Sequence, residues 1–559
     1  MMEKEFGYEN ESHLLEKMME KDFQSQRFHR PICTRFPPEP NGYLHVGSAY
    51  AIHMNATLAQ KFGGKFHLRF DDTNPLKEDA KFVEAILEDI KWLGYDPGHH
   101  VYYGSDYAEM IYEAAVKLIR KGVAYVCELR NEEMVMYRGT LTEAGKDSPY
   151  RNRSVEENLE RFQDMREGRM SAGAGVLRAK IDMGSPNMNL RDPVLYRIIH
   201  TEHYRTGNDW CIYPMYDFAH PIQDRIEGIT HSLCSIEFKD HRPLYEWVLE
   251  QLECEEPPYQ REFGRLNVSG TVTSKRYLRQ LVEEGFVDGW DDPRLPTLRG
   301  MRRRGYSPES IKSWLNALGL IRHQSTVDPQ LLDHFARIEL KKKAKGYMIV
   351  IDPIKVVITN LKEEEVEWLT IPCHTEDEQL GSREVAFTKE LYIEREDFME
   401  NPIEGFHRLT RDGEVRLKGA YFIRCQQAIK DERTGLITEL HCTYDPLTKS
   451  GTGFKGRKVK GTIHWVSAKD AVPLEVRLYR SLLKSDVHIA EEHPDWASCI
   501  QPDSLVRYTN AVAEPMLQLH AGEAVQFVRH GYFIEDAKDS SKERLVFNRI
   551  VPLKDTWKK

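Results

Sequence analysis

The stretch from Ile32 to Phe70 constrains the fold more than any other part of the chain. Ile32-Cys33-Thr34-Arg35-Phe36 is short, apolar and rich in strand-forming residues, so it reads as a β-strand. Pro37-Pro38-Glu39-Pro40-Asn41-Gly42 must then be a turn, because its prolines and glycine exclude regular structure. A helical stretch from about Ser48 to Phe62 ends at Gly63-Gly64, and Lys65-Phe66-His67-Leu68-Arg69-Phe70 follows as a second apolar strand. Helical spacing recurs at Phe82, Ile86, Ile90 and Leu93 before Gly94, and at Ile111, Ala115, Leu118 and Ile119 before Gly122. Strand, turn, helix, strand, helix is the pattern of a parallel α/β sheet. Upstream, residues 11 to 23 read as an amphipathic helix carrying Leu14, Leu15, Met18, Met19 and Phe23 on one side.

From 213 to 330 short apolar strands mix with helical patterns such as Ser310 to Leu318. From about 347 the texture changes. Tyr347 to Ile351, Lys355 to Thr359, Glu414 to Leu417, Tyr421 to Arg424 and Thr462 to Val466 alternate in polarity between Gly, Pro and Asp turns, as in antiparallel β-barrels. At 559 residues and 40% hydrophobic content, three or four domains are expected, with an α/β half followed by a β half.

Nine cysteines, odd in number, scattered and never spaced C-x-x-C, argue against a disulfide framework or a zinc knuckle. The pairs Cys373-His374 and His441-Cys442 are weak metal candidates, since neighbours in a strand face opposite ways, and no structural metal is implied. The apolar runs are short and the first residues lack a signal-peptide pattern, so a soluble cytoplasmic protein with no membrane partner is expected. The net charge of −10 looks wrong for a nucleic-acid partner. Local distribution reverses that: residues 294 to 304 hold five arginines, 341 to 345 four lysines and 454 to 460 four basic groups, none with an acid among them. Three such clusters in an acidic chain predict separate footprints on a long polyanion.

The chemistry concentrates between the first strand and the first helix after it, in Pro37-Pro38-Glu39-Pro40-Asn41-Gly42-Tyr43-Leu44-His45-Val46-Gly47-Ser48. A helix N-terminus presents unpaired N–H groups and the positive end of the dipole, and a glycine permits close approach, so such a segment can hold a nucleotide. His45 adds a donor for phosphate oxygens.

This segment resembles the HIGH signature of the class I aminoacyl-tRNA synthetases, and the wider run TRFPPEPNGYLHVGSA resembles the glutamyl and glutaminyl members. The resemblance continues through residues 69 to 79, 138 to 154, 178 to 183, 191 to 198, 211 to 238, 290 to 306 and 456 to 468, nearly the whole chain. It implies a Rossmann-like parallel-sheet catalytic domain in two halves, 1–104 and 213–266, an acceptor-stem-binding insertion at 105–212, a helical domain at 267–342, and an anticodon-binding region of two β-barrels at 343–559.

It also implies ATP as magnesium complex, contacted by Glu39, Pro40, Asn41, His45, Val46, Gly47, Ser48, Ala49, Tyr50, Ala51, Ser235, Arg265 and Leu266. The family's second signature, KMSKS, matches Val272-Thr273-Ser274-Lys275-Arg276, which adds Thr273, Ser274 and Lys275 to the ATP contacts. His45 and Lys275 carry the charge-stabilising catalytic roles, because phosphoryl transfer runs mainly on positioning and charge. Two positions depart from the family: Ser48 replaces a histidine and Thr273 a methionine, which predicts activity with altered nucleotide affinity. Contacts to tRNA carry over to Ile321, Arg322, His323, Gln324, Ser325, Thr326, Val327 and Asp328.

For the amino acid, the resemblance assigns Asp71 to the α-amino group, with Arg35, Tyr216, Cys234 and Gln260 around the substrate. Similar glutamyl enzymes have an arginine at the position of Cys234. A neutral residue there favours a neutral amide, and Tyr216 offers a hydroxyl to accept from its nitrogen. The expected substrates are therefore L-glutamine, ATP and tRNA(Gln), acted on by a monomer. The alternatives are a glutamyl-type enzyme and a non-catalytic tRNA-binding protein.

Overall fold

A computed structural model describes residues 14–76, 78–484, 496–520 and 522–554, so positions 11 to 13 of the first expected helix lie outside the described residues. The chain forms two compact units, Met1–Asn267 with Leu315–Val327, and Val268–Trp314 with Asp328–Lys559.

The first unit opens with helix α1 (Leu14–Gln24) and strand β1 (Cys33–Phe36). Helix α2 (Val46–Lys61) follows, then β2 (Lys65–Phe70), α3 (Ala80–Trp92) and β3 (Val101–Tyr103). β1 pairs in parallel with β2, and β2 with β3, as the alternation of strand and helix requires. Gly64 permits the tight return into β2, since a Cβ there would lie 2.1 Å from the Ile32 carbonyl oxygen.

The chain then leaves this sheet for an antiparallel one, β4 (Ala124–Cys127), β5 (Val176–Ala179), β6 (Val194–Ile198) and β7 (Ile212–Pro214). Ile111, Ala115, Leu118 and Ile119 of the helix Ala108–Arg120 pack there with Phe162, Leu195 and Tyr196. Helix α4 (Tyr216–Ile226) leads back to β8 (His231–Ser235), and α5 (Arg242–Gln251) to β9 (Tyr259–Phe263), which pairs with β8 in parallel. The Thr230 N–H bonds the Cys33 carbonyl at 3.0 Å, which sets the start of β8 beside β1 on the side away from β2. The parallel strands thus run in the order β3, β2, β1, β8, β9. The order reverses at β1, and open α/β sheets bind ligands beyond the carboxyl ends of their strands at such a point.

The second unit contains short helices and two seven-stranded sheets. In each sheet one short run of chain supplies both outer strands. Gly346–Tyr347 and Ile349–Val350 occupy the two ends of one sheet, and Thr462–Ile463 and Val466–Ser467 the two ends of the other. The two ends of each sheet are thereby brought close together, and the sheets curl into a barrel-like form. The expectation of antiparallel barrels needs one correction. Lys355–Ile358 pairs in parallel with Glu439–Cys442, and Leu474–Arg477 with Leu545–Asn548. Alternation fixes which face a side chain takes but not the direction of the neighbouring strand. Among the described residues no helix is long and apolar enough to cross a membrane.

Candidate active site

The carboxyl ends of β1, β2, β8 and β9 converge with the start of α2. His45 is the N-cap of that helix in extended conformation (φ −128°), and its Nδ1 accepts the Gly47 N–H at 3.0 Å. With a lone pair at Nδ1, the neutral ring carries its proton on Nε2. Ser48 completes a capping box, its Oγ accepting the His45 N–H at 3.4 Å. The serine that departs from the family signature therefore holds the helix start. Gly47 leaves room for the imidazole, since a Cβ there would sit 2.9 Å from His45 Cε1, with the Leu266 carbonyl oxygen 3.5 Å away. The preceding turn is closed locally. Asn41 donates to the Glu39 carbonyl at 2.9 Å and to the Glu39 carboxylate, and the Asp71 N–H reaches the Pro38 carbonyl at 3.0 Å.

Of the other residues assigned to the nucleotide, Val46, Ala49 and Tyr50 have buried side chains. Tyr50 is locked by hydrogen bonds with Gly319 (3.2 Å) and Ile321 (2.8 Å), so its ring belongs to the core and not to a nucleotide surface. Arg265 pairs with Glu237 at 2.8 Å, and the buried Ser235 Oγ has no hydrogen-bond partner among the described residues.

Beneath the helix start lies a buried chain of alternating charge. Arg35 bonds Asp224 (Nε to Oδ1, 3.0 Å) and the Leu233 carbonyl (2.9 Å), Arg69 bonds Asp224 (2.8 Å) and Glu227 (3.0 Å), and Tyr245 donates to the second oxygen of Asp224 (2.9 Å). Arg35, Arg69 and Asp224 are at most 1% exposed. Burial opposes ionisation of Asp224, but the two guanidinium groups outweigh it and hold its carboxyl well below the usual carboxylate range. Arg69 also donates to His220 Nδ1 at 3.1 Å, which leaves Nε2–H to donate to Asp71 Oδ2 at 3.0 Å. Burial, together with the charges of Arg69 and Arg35, pushes the His220 pKa down despite Asp71, and the ring is neutral. Asp71, steadied also by Thr73 at 3.0 Å, is held below its ordinary pKa against the effect of burial. The result is a fixed carboxylate at the end of β2, suited to an ammonium.

Sequence reading did not single out Arg69, His220, Asp224 or Glu227. The signal was present: Tyr216, His220 and Asp224 recur every four residues on one face of α4, and Glu227 is the cap that follows it.

Further along the same crevice stand Tyr216, Cys234 and Gln260. Tyr216 opens α4, and its ring lies 3.8 Å from His220 and 4.7 Å from Phe238, centroid to centroid. Burial and the nearby Cys234 keep its hydroxyl protonated. The Cys234 thiol is buried, and burial first, then Glu262 and Asp224, push it up to about 12, so this wall is neutral. Gln260 donates to the Phe238 carbonyl and to Glu262, both at 3.2 Å.

Several assignments look different in three dimensions. Ile321 is buried, whereas Arg322, His323, Gln324 and Thr326 are exposed and Ser325 and Val327 half-buried. Gly264 has His323 backbone against it, since a Cβ would meet the His323 carbonyl oxygen at 2.1 Å. In the second unit, Asp328 caps the helix Pro329–Lys343, and Lys275 is the first residue of the helix Lys275–Glu283, with Ser274 as its N-cap and Thr273 just before. The arginine cluster at 294 to 304 is largely internal. Arg294 pairs with Asp292 (2.7 Å), and Arg303 with Asp536 and Asp539 (both 3.0 Å), leaving Arg302 as the one exposed arginine of the five. By contrast Lys455, Arg457, Lys458 and Lys460 are exposed, although Arg457 pairs with Glu414 (2.9 Å) and Asp445 (2.8 Å). Glu394, His464 and His530 bring ligand-type atoms within 4.8 Å of one another. They form a hydrogen-bonded network: Glu394 accepts from His530 (2.8 Å) and from the Ile351 and Asp352 N–H groups, and Arg529 lies 3.3 Å from His464 Nδ1. An arginine donating to that nitrogen leaves the ring proton on Nε2, where a metal would need a lone pair.

Three family models match the chain. Residues 31–342 match the catalytic domain of the class I tRNA synthetases (E and Q). Residues 344–445 and 462–536 match two anti-codon binding domains of the same synthetases. The chain is 54% identical over 550 residues to a glutamine–tRNA ligase of Clostridium perfringens, covering 98% of this chain and 99% of that one. It is 51% identical over 548 residues to the ligase of the same name from Pseudomonas syringae pv. tomato, covering 98% and 96%.

Proposed function

This chain belongs to the class I tRNA synthetases (E and Q), and from that membership we propose that it activates L-glutamine with ATP and joins it to the terminal adenosine of tRNA(Gln). One observation carries the choice of glutamine over glutamate. The cations bordering the neutral Cys234 thiol are already paired, Arg35 with Asp224 and Arg242 with Glu262. A γ-carboxylate brought into that crevice meets, among the described residues bordering Cys234, only cations that are already paired, and a buried unpaired charge costs several kcal/mol. A neutral amide meets the Tyr216 hydroxyl, which accepts from its nitrogen.

In the activation step the glutamine carboxylate attacks the α-phosphorus, its oxygen bonds to phosphorus, and pyrophosphate leaves. Asp71 holds the α-ammonium. His45 Nε2–H and the dipole of α2 stabilise the nucleotide phosphates, which enter as the magnesium complex. Lys275, by its place in the second signature, neutralises the departing pyrophosphate. The terminal adenosine hydroxyl of tRNA then takes the glutaminyl group and AMP leaves. Within this reading residues 105–212 bind the acceptor stem, Arg322 to Asp328 touch tRNA, and 343–559 read the anticodon, in a cytoplasmic monomer.

The test is pyrophosphate exchange with glutamine and with glutamate, each with and without tRNA. Exchange is expected with glutamine and tRNA together. Stronger exchange with glutamate would overturn the assignment, and robust exchange without tRNA would remove its expected role in activation.

A further inference from the structure

Glu262 lies directly across from Cys234 in the parallel pairing of β8 and β9, two register steps past the pair Ser232 and Gln260. Partners in register present their side chains on the same face of the sheet. Cys234, Gln260 and Glu262 therefore share one wall. The Glu262 side chain is only 3% exposed, and it is held by three donors: Arg242 Nε at 2.9 Å, Arg242 Nη2 and Gln260 Nε2 at 3.2 Å. Arg242 begins α5, with its side chain 27% exposed. Both charges act on the Cys234 thiol, with opposite sign.

We infer that Glu262 is a specificity-determining residue: by neutralising Arg242 beside Cys234 it keeps the pocket wall from attracting a substrate carboxylate. This rests on the glutamine reading above and extends it. A neutral Cys234 is necessary for rejecting glutamate but not sufficient, because a guanidinium stands next to it on α5. Without the Glu262 charge, the pull of Arg242 on an anion beside Cys234 would be uncancelled. A unit charge left uncancelled in a partly buried wall, at an effective dielectric of about 20, shifts carboxylate binding by on the order of tenfold or more. Glu262 also orients Gln260, so the same residue fixes both the charge and the geometry of the wall.

The experiment measures kcat/KM for glutamine and glutamate, with saturating tRNA, in the unaltered protein, Glu262→Gln, and the double variant Glu262→Gln with Arg242→Gln. The amide oxygen at 262 can still accept from Arg242 and Gln260, whereas the amide nitrogen cannot, so the charge goes together with one of the three hydrogen bonds. The single variant is expected to lower the glutamine-to-glutamate ratio about tenfold, and the double variant to restore it. A ratio within about twofold of the parent in Glu262→Gln, or a double variant as relaxed as the single one, overturns the inference. Should Glu262→Gln fail to fold, Arg242→Gln carries the test: glutamate rejection must rise, and an unchanged ratio sinks the idea. If the unaltered protein itself prefers glutamate, the proposed function falls, and this inference with it. A parent that prefers glutamine while the variants do not move refutes the inference alone.

Discussion

Replacing Cys234 by arginine places a cation where the crevice now has a neutral thiol, and the structure sets how much that can gain. At about 4 Å and an effective dielectric of about 20, an arginine and a substrate carboxylate attract by roughly 4 kcal/mol. Glu262, the in-register partner of position 234, competes for that charge, although Arg242 already satisfies part of it. Sharing leaves about 2 kcal/mol, or roughly a 30-fold rise in kcat/KM for glutamate. Glutamine activation should fall at the same time, because the larger side chain fills the space beside Tyr216 and presents donors to an amide nitrogen that is itself a donor. The assay is aminoacylation at varied glutamine and glutamate with saturating tRNA, run beside a thermal melt. A folded Cys234→Arg variant whose ratio of the two substrates matches the parent would refute the reasoning about the pocket wall. Combining the change with Glu262→Gln should enlarge the glutamate gain, since the competitor for the new cation is removed.

Three further outcomes are expected. Burial pushes the Glu78 carboxyl up from 4.5 to about 7, against its contacts with His203 and Asn74. A raised folded pKa gives stability that is present below pH 4.5 and lost as pH rises through 7, so Glu78→Gln should melt with the parent at low pH but exceed it at pH 8, by up to about 3 kcal/mol; equal stability at pH 8 would refute this. Lys275→Ala should slow activation by on the order of 10²- to 10³-fold while tRNA affinity hardly changes, and an equal loss of binding would reassign the loop as an RNA contact. Neutralising Lys455, Lys458 and Lys460 together should weaken tRNA binding and flatten its salt dependence by nearly one unit of slope per lost contact, whereas Arg303→Gln, which breaks pairs with Asp536 and Asp539, should lower thermal stability instead.

Much of the first unit was written in its local pattern. The strand expected from Lys65 to Phe70 forms over those residues, and the helix expected from Ser48 to Phe62 forms as Val46–Lys61. Glycine pairs, proline turns and apolar spacing act within a few residues of chain, so they are legible one segment at a time. The place of His45 at a helix start was legible for the same reason, and so was the neutrality of position 234. The arginines at 294 to 304 show the opposite case. As a string they look like a phosphate-binding surface, but Arg303 meets Asp536 and Asp539, more than two hundred residues away. Whether a charge is exposed or spent on a distant partner is decided only when the chain closes.

The same holds for the barrels and for the floor of the crevice. Alternation marked Tyr347 to Ile351 and Thr462 to Val466 as strands, but only the tertiary structure made each run serve both ends of its sheet and set some neighbours parallel. The buried chain from Arg35 through Asp224 and Arg69 to Glu227 joins residues from β1, β2 and the end of α4. Sequence by itself determined the residue types, the faces they take and the family they match. The tertiary structure decided which charges cancel, because Coulomb attraction depends on separation in space, and neither Arg35 and Asp224 nor Arg242 and Glu262 are neighbours until the sheet assembles.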